Sequence, residues 1–235
     1  LWPPRWIPGD PQWGNYLEVF HARPFTRYTF NSLVVAGLTT IVCLVIGSLS
    51  GYVFSRFKFK WDKVLFVAVL ATRVFPPIAF ITPWYIIGER FGIIDTYWIL
   101  IAMYTYMNLP FAVYIMRGFF DEMPRELDEA GYVDGCTRTM VLRYVILPAA
   151  APGVAATAII VFLTSWNDFL LASVVTFTVS AKTLPVGVVD FIADAFIQWN
   201  LLAAASVITC IPALIFVAFF QRFIVQGLTS GAVKG

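Results

Sequence analysis

Five long apolar stretches, separated by short polar segments, run through the chain. They lie near residues 30–54, 64–88 and 96–116, from Pro148 to at least Trp166, and near residues 197–220. A helix needs about 20 predominantly apolar residues to cross a bilayer, so stretches of this length predict membrane-spanning helices. The pattern therefore predicts an all-α, polytopic membrane helical bundle with five spans visible in this chain.

The amino-acid composition agrees with a membrane protein and excludes one class of partner. The 235 residues are 60% hydrophobic and 13% charged, whereas soluble domains are about a quarter charged and under half apolar. The net charge is only +2, and no basic run is interleaved with aromatic residues in the way that binds phosphate backbones. We therefore expect contacts with membrane lipid and no nucleic acid as a partner.

The second apolar stretch contains a charge and several prolines. Arg73 is its one charged residue, and Pro76, Pro77 and Pro83 follow. Prolines bend a membrane helix and free carbonyl groups, which is tolerated where protein or water covers them. An arginine near the bilayer centre costs about 3 kcal/mol on insertion scales. Arg73 should therefore face the bundle or a water-filled cavity, and it is a candidate residue of a translocation path.

The first apolar stretch carries two glycines four residues apart, Gly47 and Gly51. Small residues at this spacing allow two helices to approach closely within a membrane. The alternative is that the two glycines are incidental. The sequence leaves both interpretations open.

The basic residues predict the orientation of the spans, because short cytoplasmic loops carry an excess of Lys and Arg. One set of alternate segments holds ten basic residues, namely Arg56, Lys58, Lys60, Lys63, Arg117, Arg125, Arg138, Arg143, Arg222 and Lys234. The other set holds five, namely Arg5, Arg23, Arg27, Arg90 and Lys182. The C-terminus and the polar stretch 121–148 are then cytoplasmic, and residues 1–28 form an external segment. Because no signal peptide precedes that segment, we expect a further span upstream and six in the intact protein.

The polar stretch 121–148 predicts two short helices joined by a turn. Asp134-Gly135 is a strong turn signal, and a glycine suits the left-handed position after a helix. The second short helix runs into Leu147-Pro148 at the membrane surface. The stretch is thus a helix–turn–helix between two spans.

The first of these helices has two distinct faces. Leu127, Ala130 and Gly131 share one face, at spacings of three and four residues. Glu126 and Glu129 point elsewhere, into water or toward a partner.

The stretch resembles the EAA loop, which marks the membrane permease subunits of ABC importers served by a binding protein. That loop reads Glu-Ala-Ala, three residues, Gly, nine residues, Ile, one residue and Leu-Pro, and the spacing here is the same. The matching residues are Glu129, Ala130, Gly135, Leu147 and Pro148, with Gly131 in place of the second Ala and Val145 in place of Ile. The alternative is an ordinary amphipathic loop between spans. We call residues 121–148 the coupling loop.

Other segments resemble the maltose-type, carbohydrate-uptake branch of these permeases. They are Gly14-Asn15-Tyr16, Asn31-Ser32, Trp166-Asn167-Asp168 and the C-terminal segment 221–235, so that the resemblance extends from Asn15 to Gly235. It implies a transmembrane permease domain over residues 29–228 and a cytoplasmic tail over residues 229–235. It also implies the cytoplasmic membrane of a bacterium or archaeon, and a sugar substrate of the di- or oligosaccharide class.

The resemblance further implies a set of partners and of functional residues. The partners are a second homologous permease subunit, two ATPase subunits that bind the ATP, an extracytoplasmic sugar-binding protein and the sugar. The residues implied in coupling to the ATPase are Glu126, Glu129, Ala130, Gly131, Asp134, Gly135, Leu147 and Pro148. Asn167 is a candidate residue of the translocation path, and Asp168 is either part of that path or a structural anchor near the outer end of the fourth span.

The sequence contains none of the motifs that would indicate ATP binding or catalysis. It has no phosphate-binding Gly-x-x-x-x-Gly-Lys loop and only one histidine, His21. The cysteines Cys43, Cys136 and Cys210 lack the spacing of metal ligands. We therefore expect no enzyme activity and no cofactor in this chain. The alternative function is a secondary transporter driven by an ion gradient, which requires ionisable groups throughout the spans. Only Arg73 and the peripheral Asp168 qualify.

Overall fold

A computed structural model describes residues 11–192 and 197–232, with side chains described as far as residue 221. Residues 1–10 of the predicted external segment and residues 233–235 of the predicted tail therefore lie outside the described ranges. Every regular element within those ranges is helical. The helices are α1 Gly14–Ala22, α2 Phe25–Arg56, α3 Asp62–Ala71, α4 Ile81–Arg90, α5 Tyr97–Asp121, α6 Glu126–Val133, α7 Arg138–Val141, α8 Leu147–Ala149, α9 Ala151–Trp166, α10 Leu170–Val175, α11 Leu184–Val189 and α12 Trp199–Ala232.

The described residues contain three helices that can span a membrane, or the five spans that the apolar pattern predicts if each of two bent helix pairs forms one span. Three of them, α2, α5 and α12, are single helices that are long and apolar enough to cross a membrane. The other two are pairs of helical segments separated by a sharp bend. The all-α, polytopic fold is thus confirmed, and the bends distinguish it from a bundle of five straight helices.

The second span, predicted near residues 64–88, is bent where its prolines predict a bend, and the bend is a complete break of the helix. Its segments, Asp62–Val74 and Pro77–Arg90, meet at an angle of 96°. Phe75 and Pro76 are both extended, with ψ of 135° and 138°. The ring of a proline disfavours the helical conformation of the residue before it, so two consecutive prolines end the helix here. Thirteen helical residues, from 62 to 74, rise only about 20 Å and cannot cross the bilayer alone.

The two glycines of α2 are sites of close packing against α5. A Cβ atom on Gly47 would lie 3.0 Å from the Cβ of Ala112, and one on Gly51 would lie 2.9 Å from the backbone nitrogen of Arg117. The contact thus depends on the absence of side chains at both positions. The interpretation as a close-approach pair is confirmed.

The coupling loop shares an apolar core with the ends of α2 and α5. The buried members of this core are Tyr52, Met116, Phe120, Val141, Leu142, Ile146 and Ala150. They include residues from α2, α5 and the second half of the loop, so burial of apolar area holds the loop against both spans.

Candidate functional site: the coupling loop

The coupling loop folds as the helix–turn–helix that its sequence predicts. Helix α6 is followed by a turn and by α7, which continues through a π-helical turn, Leu142–Ile146, into α8. The loop then joins α9 through a bend of 82°. The loop is therefore a compact pair of short helices, placed between α5 at one end and α9 at the other.

Gly135 ends α6 in a Schellman motif. Its φ is +80°, and no heavy atom lies within 4 Å of the position that a Cβ would occupy. The Cys136 N–H donates to the Gly131 carbonyl at 3.0 Å, and the Gly135 N–H donates to the Tyr132 carbonyl at 3.1 Å. Both bonds are those of the motif. The requirement for glycine at position 135 is thus conformational and is not a matter of space.

Gly131, which stands where the EAA pattern has alanine, lies between the two helices of the loop. A Cβ on this residue would lie 2.8 Å from Cγ2 of Val141. Val141 is fully buried, and its branched side chain has little freedom to move away. The glycine therefore allows α6 and α7 to pack more closely than alanine would.

The other predicted coupling residues fall into two groups. Glu126, Glu129, Ala130 and Asp134 are exposed along α6 and its turn. Ala130 thus differs from Leu127 and Gly131, which are half-buried and buried, although all three residues were predicted to share a face. Leu147 and Pro148 lie at the other end of the loop, where they line an apolar cleft with Ala151 and Val154. The structure does not bring them next to the acidic residues of α6.

Asp128 is a buried residue of α6 that the sequence analysis missed. Its Oδ2 lies 2.9 Å from Nε of Arg56, and the two side chains are only 9% and 8% exposed. Its Oδ1 accepts a hydrogen bond of 2.5 Å from the Tyr52 hydroxyl, and Nη2 of Arg56 donates to the Met123 carbonyl at 3.2 Å. A signal existed in the sequence, because Asp128 lies three residues before Gly131 and so on the packed face. A carboxylate on that face requires a cationic or hydroxyl partner.

A cleft of about 250 Å³ lies beside this ion pair. Its lining includes the exposed Glu129 together with Arg125 and Arg138, and the Arg138 guanidinium lies 4.9 Å from the centre of the Phe57 ring. The cleft therefore presents charges of both signs around an aromatic side chain. Such a surface can bind a complementary protein surface.

Asp168 has the contacts of a structural anchor. Its Oδ1 accepts hydrogen bonds from the Tyr104 hydroxyl at 2.9 Å and from the N–H groups of Leu171 and Ala172 at 3.1 and 3.2 Å. It thereby caps the start of α10 and joins it to α5. Asn167 is exposed beside it.

A buried polar contact between α5 and α9 was also missed. Asn108 is 5% exposed, and its side chain accepts a hydrogen bond of 2.7 Å from Thr164 and donates one of 3.4 Å to Ser165. Hydrogen bonds of this kind join helices within a membrane.

Arg73 lies in the 3₁₀ turn that precedes the break of the second span. Its guanidinium carbon is 5.2 Å from the centre of the Phe111 ring, and the residue lines a small cleft with Tyr106 and Met107. Its side chain is exposed in the single chain. That it faces the interior of the assembly or a water-filled path stays a prediction.

Asn31 and Ser32, which belong to the resemblance, hold the segment before α11. Nδ2 of Asn31 donates to the carbonyls of Val179 and Lys182 at 3.0 and 2.8 Å. The Ser32 hydroxyl accepts a hydrogen bond of 2.7 Å from the Leu184 N–H. Both side chains are buried, so this segment is fixed to α2.

Asp95 holds the same segment from the loop before α5. Its carboxylate accepts hydrogen bonds from the Phe177 and Thr178 N–H groups and from the Thr178 hydroxyl, at 2.8, 3.1 and 2.5 Å. Burial alone would raise the pKa of Asp95, but these hydrogen bonds favour the charged form and lower its pKa below the usual value. The contact is therefore retained at neutral pH.

No group of three or more His, Cys, Asp or Glu side chains is placed to hold a metal ion in the part of the chain that the structure describes.

Comparison with known proteins identifies the family. Residues 43–230 match the family described as "Binding-protein-dependent transport system inner membrane component". The trehalose transport system permease protein SugB of Mycobacterium tuberculosis is 38% identical over 231 residues, which cover 97% of this chain and 84% of that protein. The trehalose/maltose transport system permease protein MalG of Thermococcus litoralis is 37% identical over 94% of this chain and 81% of its own length.

The fold is also that of a solved transporter. A crystal structure of a bacterial ABC transporter involved in the import of the acidic polysaccharide alginate matches with a TM-score of 0.79 at 19% identity, over 92% of this chain and 81% of that chain. The chain therefore belongs to the family of binding-protein-dependent transport system inner membrane components, the permease subunits of ABC importers.

Proposed function

We propose that this chain is one of two permease subunits of an ATP-driven importer for a di- or oligosaccharide. Family membership makes it a multi-pass inner-membrane protein that works within an ABC importer complex and is not itself an enzyme. Membership also removes the alternative of a secondary transporter driven by an ion gradient. The class of sugar is supported by the substrates in the relatives' names, trehalose and trehalose/maltose.

Besides this chain, the proposed complex has four subunits of three kinds. A second, homologous permease completes the path across the membrane, two ATPase subunits bind the ATP, and a sugar-binding protein delivers the substrate outside. The coupling loop and the C-terminus are cytoplasmic, and the segment before α2 is external, because of the excess of basic residues on the loop side. This chain holds no cofactor of its own in the proposal.

The observation that carries the proposal is the geometry of the coupling loop. The first of its two short helices ends at Gly135, the two helices pack together at Gly131, and Asp128 joins them to α2 through an ion pair with Arg56. This compact unit leaves Glu126 and Glu129 exposed on α6. A rigid element with free charges can bind a partner and pass on its displacement, which a flexible connector cannot. ATP-dependent closure of the ATPase pair would then move the loop and the helices attached to it.

The translocation path is proposed to include Arg73 and Asn167, both exposed in the single chain. Asp168 takes part indirectly, by holding α10 against α5 next to Asn167. In this arrangement the broken second span carries Arg73 and a cleft lined by Tyr106. Residues of the second permease would form the opposite wall of that cleft. Hydrogen-bonding groups over aromatic surface suit a sugar.

Cysteine cross-linking tests the orientation and the ATPase contact together. Val133, at the end of α6, is 88% exposed, and Trp13, before α1, is 72% exposed. In a background without the native cysteines, we expect Val133→Cys in native membranes to be joined to the ATPase subunit by a short thiol–amine reagent. We expect no ATPase adduct from Trp13→Cys, because that residue lies on the other side of the membrane.

An ATPase adduct of Trp13→Cys, or labelling of Val133→Cys by an impermeant thiol reagent in intact cells, would reverse the proposed topology. If Val133→Cys gives no ATPase adduct in a complex that still contains the ATPase, α6 does not contact the ATPase subunit.

A further inference from the structure

We infer that the buried Asp128 cluster, Tyr52, Arg56 and Asp128, makes α6 move with α2 and α5 as one body during transport. Asp128 is thus a positioning residue for coupling, as distinct from the exposed residues that contact the ATPase. The inference rests on the proposed function, since it assumes that the coupling loop transmits the motion of the ATPase.

The first support is that the cluster crosses between distant parts of the chain. Asp128 lies 76 residues after Tyr52, and both of its carboxylate oxygens are engaged by residues of one turn of α2. Arg56 also binds the Met123 carbonyl just before α6. Three polar contacts therefore join α6 and its approach to the last turns of α2.

The second support is burial. Separating Arg56 from Asp128 would leave two side chains of opposite charge, each under a tenth exposed, in a low-dielectric site without an ionic partner. Asp128 would keep only the Tyr52 hydroxyl, and Arg56 only the Met123 carbonyl. Breaking a buried ion pair by removal of one member is strongly destabilising for this reason. A displacement of α6 relative to α2 has to break the same contacts. Movement of the two helices together is therefore favoured.

The third support is that α2 is itself fixed to α5. Gly51 lies one residue before Tyr52 and packs against the backbone at Met116 and Arg117. The Tyr52 ring makes edge contacts with Phe57 and Phe120. By contrast, the chain passes from the loop into α9 through the π-helical turn and the 82° bend. π-Helical turns and bends are places where a helix can change geometry.

The test measures the α2–α6 distance in the whole complex. Val53, on α2, and Val133, on α6, are 42% and 88% exposed and carry spin labels in a background without the native cysteines. We expect the same distance distribution in the nucleotide-free complex and in the complex trapped with ATP and vanadate. A distance that differs between the two states would overturn the inference.

The same α2–α6 distance is then measured in variants of the Asp128 cluster. Asp128→Asn is expected to broaden the distance distribution and to lower sugar uptake about tenfold, while the amount of bound ATPase stays the same because the exposed face of α6 is unchanged. Tyr52→Phe keeps the packed ring and loses one hydrogen bond, so we expect a smaller broadening of the distance distribution. This variant keeps the test valid if Asp128→Asn folds poorly. The exchange Arg56→Asp with Asp128→Arg should narrow the distribution again. Glu89→Gln, an exposed carboxylate of α4, is the matched control and should change nothing.

The outcomes separate this inference from the proposed function. An unchanged distribution in Asp128→Asn and Tyr52→Phe would overturn the positioning role. A broadened distribution with normal uptake would show that the cluster holds α6 against α2, but it would contradict transmission through the coupling loop and with it the role of Asp128 in coupling. Release of the ATPase by Asp128→Asn would show that the residue belongs to the ATPase contact and would overturn the distinction drawn here.

Discussion

Sugar uptake is expected to collapse in Glu129→Lys and Gly135→Val, although both variants should insert into the membrane at normal levels. Glu129 is exposed on α6, and no ion pair with it is found among the side chains that the structure describes as far as residue 221, so it is free to pair with a basic group of the ATPase. Loss of one partner of a buried interfacial charge pair costs about 2–5 kcal/mol. A reversed charge adds repulsion to that loss.

Gly135→Val acts through the backbone. The φ of +80° at this position places a β-branched residue in the left-handed region, at a cost of about 1–2 kcal/mol. The Schellman bonds from Gly135 and Cys136 would weaken, and α6 would lose its fixed angle to α7. We expect purified complexes of both variants to retain less ATPase and to lose stimulation of ATP hydrolysis by the binding protein.

A matched variant separates conformation from side-chain volume at this turn. Gly135→Asn should retain much of the activity, because asparagine tolerates positive φ better than other residues that carry a Cβ. Wild-type uptake and stimulation in both Glu129→Lys and Gly135→Val would mean that the loop is only a connector between spans.

The helix bundle should lose stability when Gly51 is replaced by a residue with a side chain. A Cβ at this position would lie 2.9 Å from the backbone nitrogen of Arg117 and 3.0 Å from the Met116 Cβ. Backbone cannot move aside as a flexible side chain can, so Gly51→Ala forces α2 and α5 apart. Overpacking of this kind costs about 1–3 kcal/mol, and Gly51→Val should cost more. We expect a lowered Tm of the purified complex and, for valine, a reduced amount of permease in the membrane.

Gly37 provides the control in the same helix. No heavy atom lies within 4 Å of its Cβ position. Alanine is the better helix former by about 1 kcal/mol, so Gly37→Ala should leave the Tm unchanged or raise it. Equal effects of alanine at positions 37 and 51 would contradict the close approach of α2 and α5.

The spans and the coupling loop could be predicted from sequence because their signals are local. Apolar runs mark the spans, and Asp134-Gly135 marks a turn whose glycine has the positive φ expected of it. The 96° angle of the second span was harder to predict. Consecutive prolines indicate a bend, but its size depends on how both arms pack against the rest of the bundle.

The polar contacts could not be predicted in the same way, since their partners are distant in sequence. Asn31 binds backbone groups 148 and 151 residues later, and Asp128 depends on Tyr52 and Arg56. A helical pattern shows that Asp128 lies on a packed face, but it does not show which residue that face meets. The sequence alone does not decide between a path residue and a structural anchor at Asp168. The hydrogen bond from the Tyr104 hydroxyl favours the anchor.

Sugar uptake by the reconstituted complex distinguishes an ATP-driven importer from a transporter driven by an ion gradient. Proteoliposomes would hold this permease, the second permease and the ATPase subunits, with ATP enclosed and the sugar-loaded binding protein outside. We expect accumulation of sugar that requires ATP hydrolysis and the binding protein, and that persists when ionophores collapse the proton and sodium gradients. Accumulation that continues without ATP and disappears with the ionophores would contradict an ATP-driven importer.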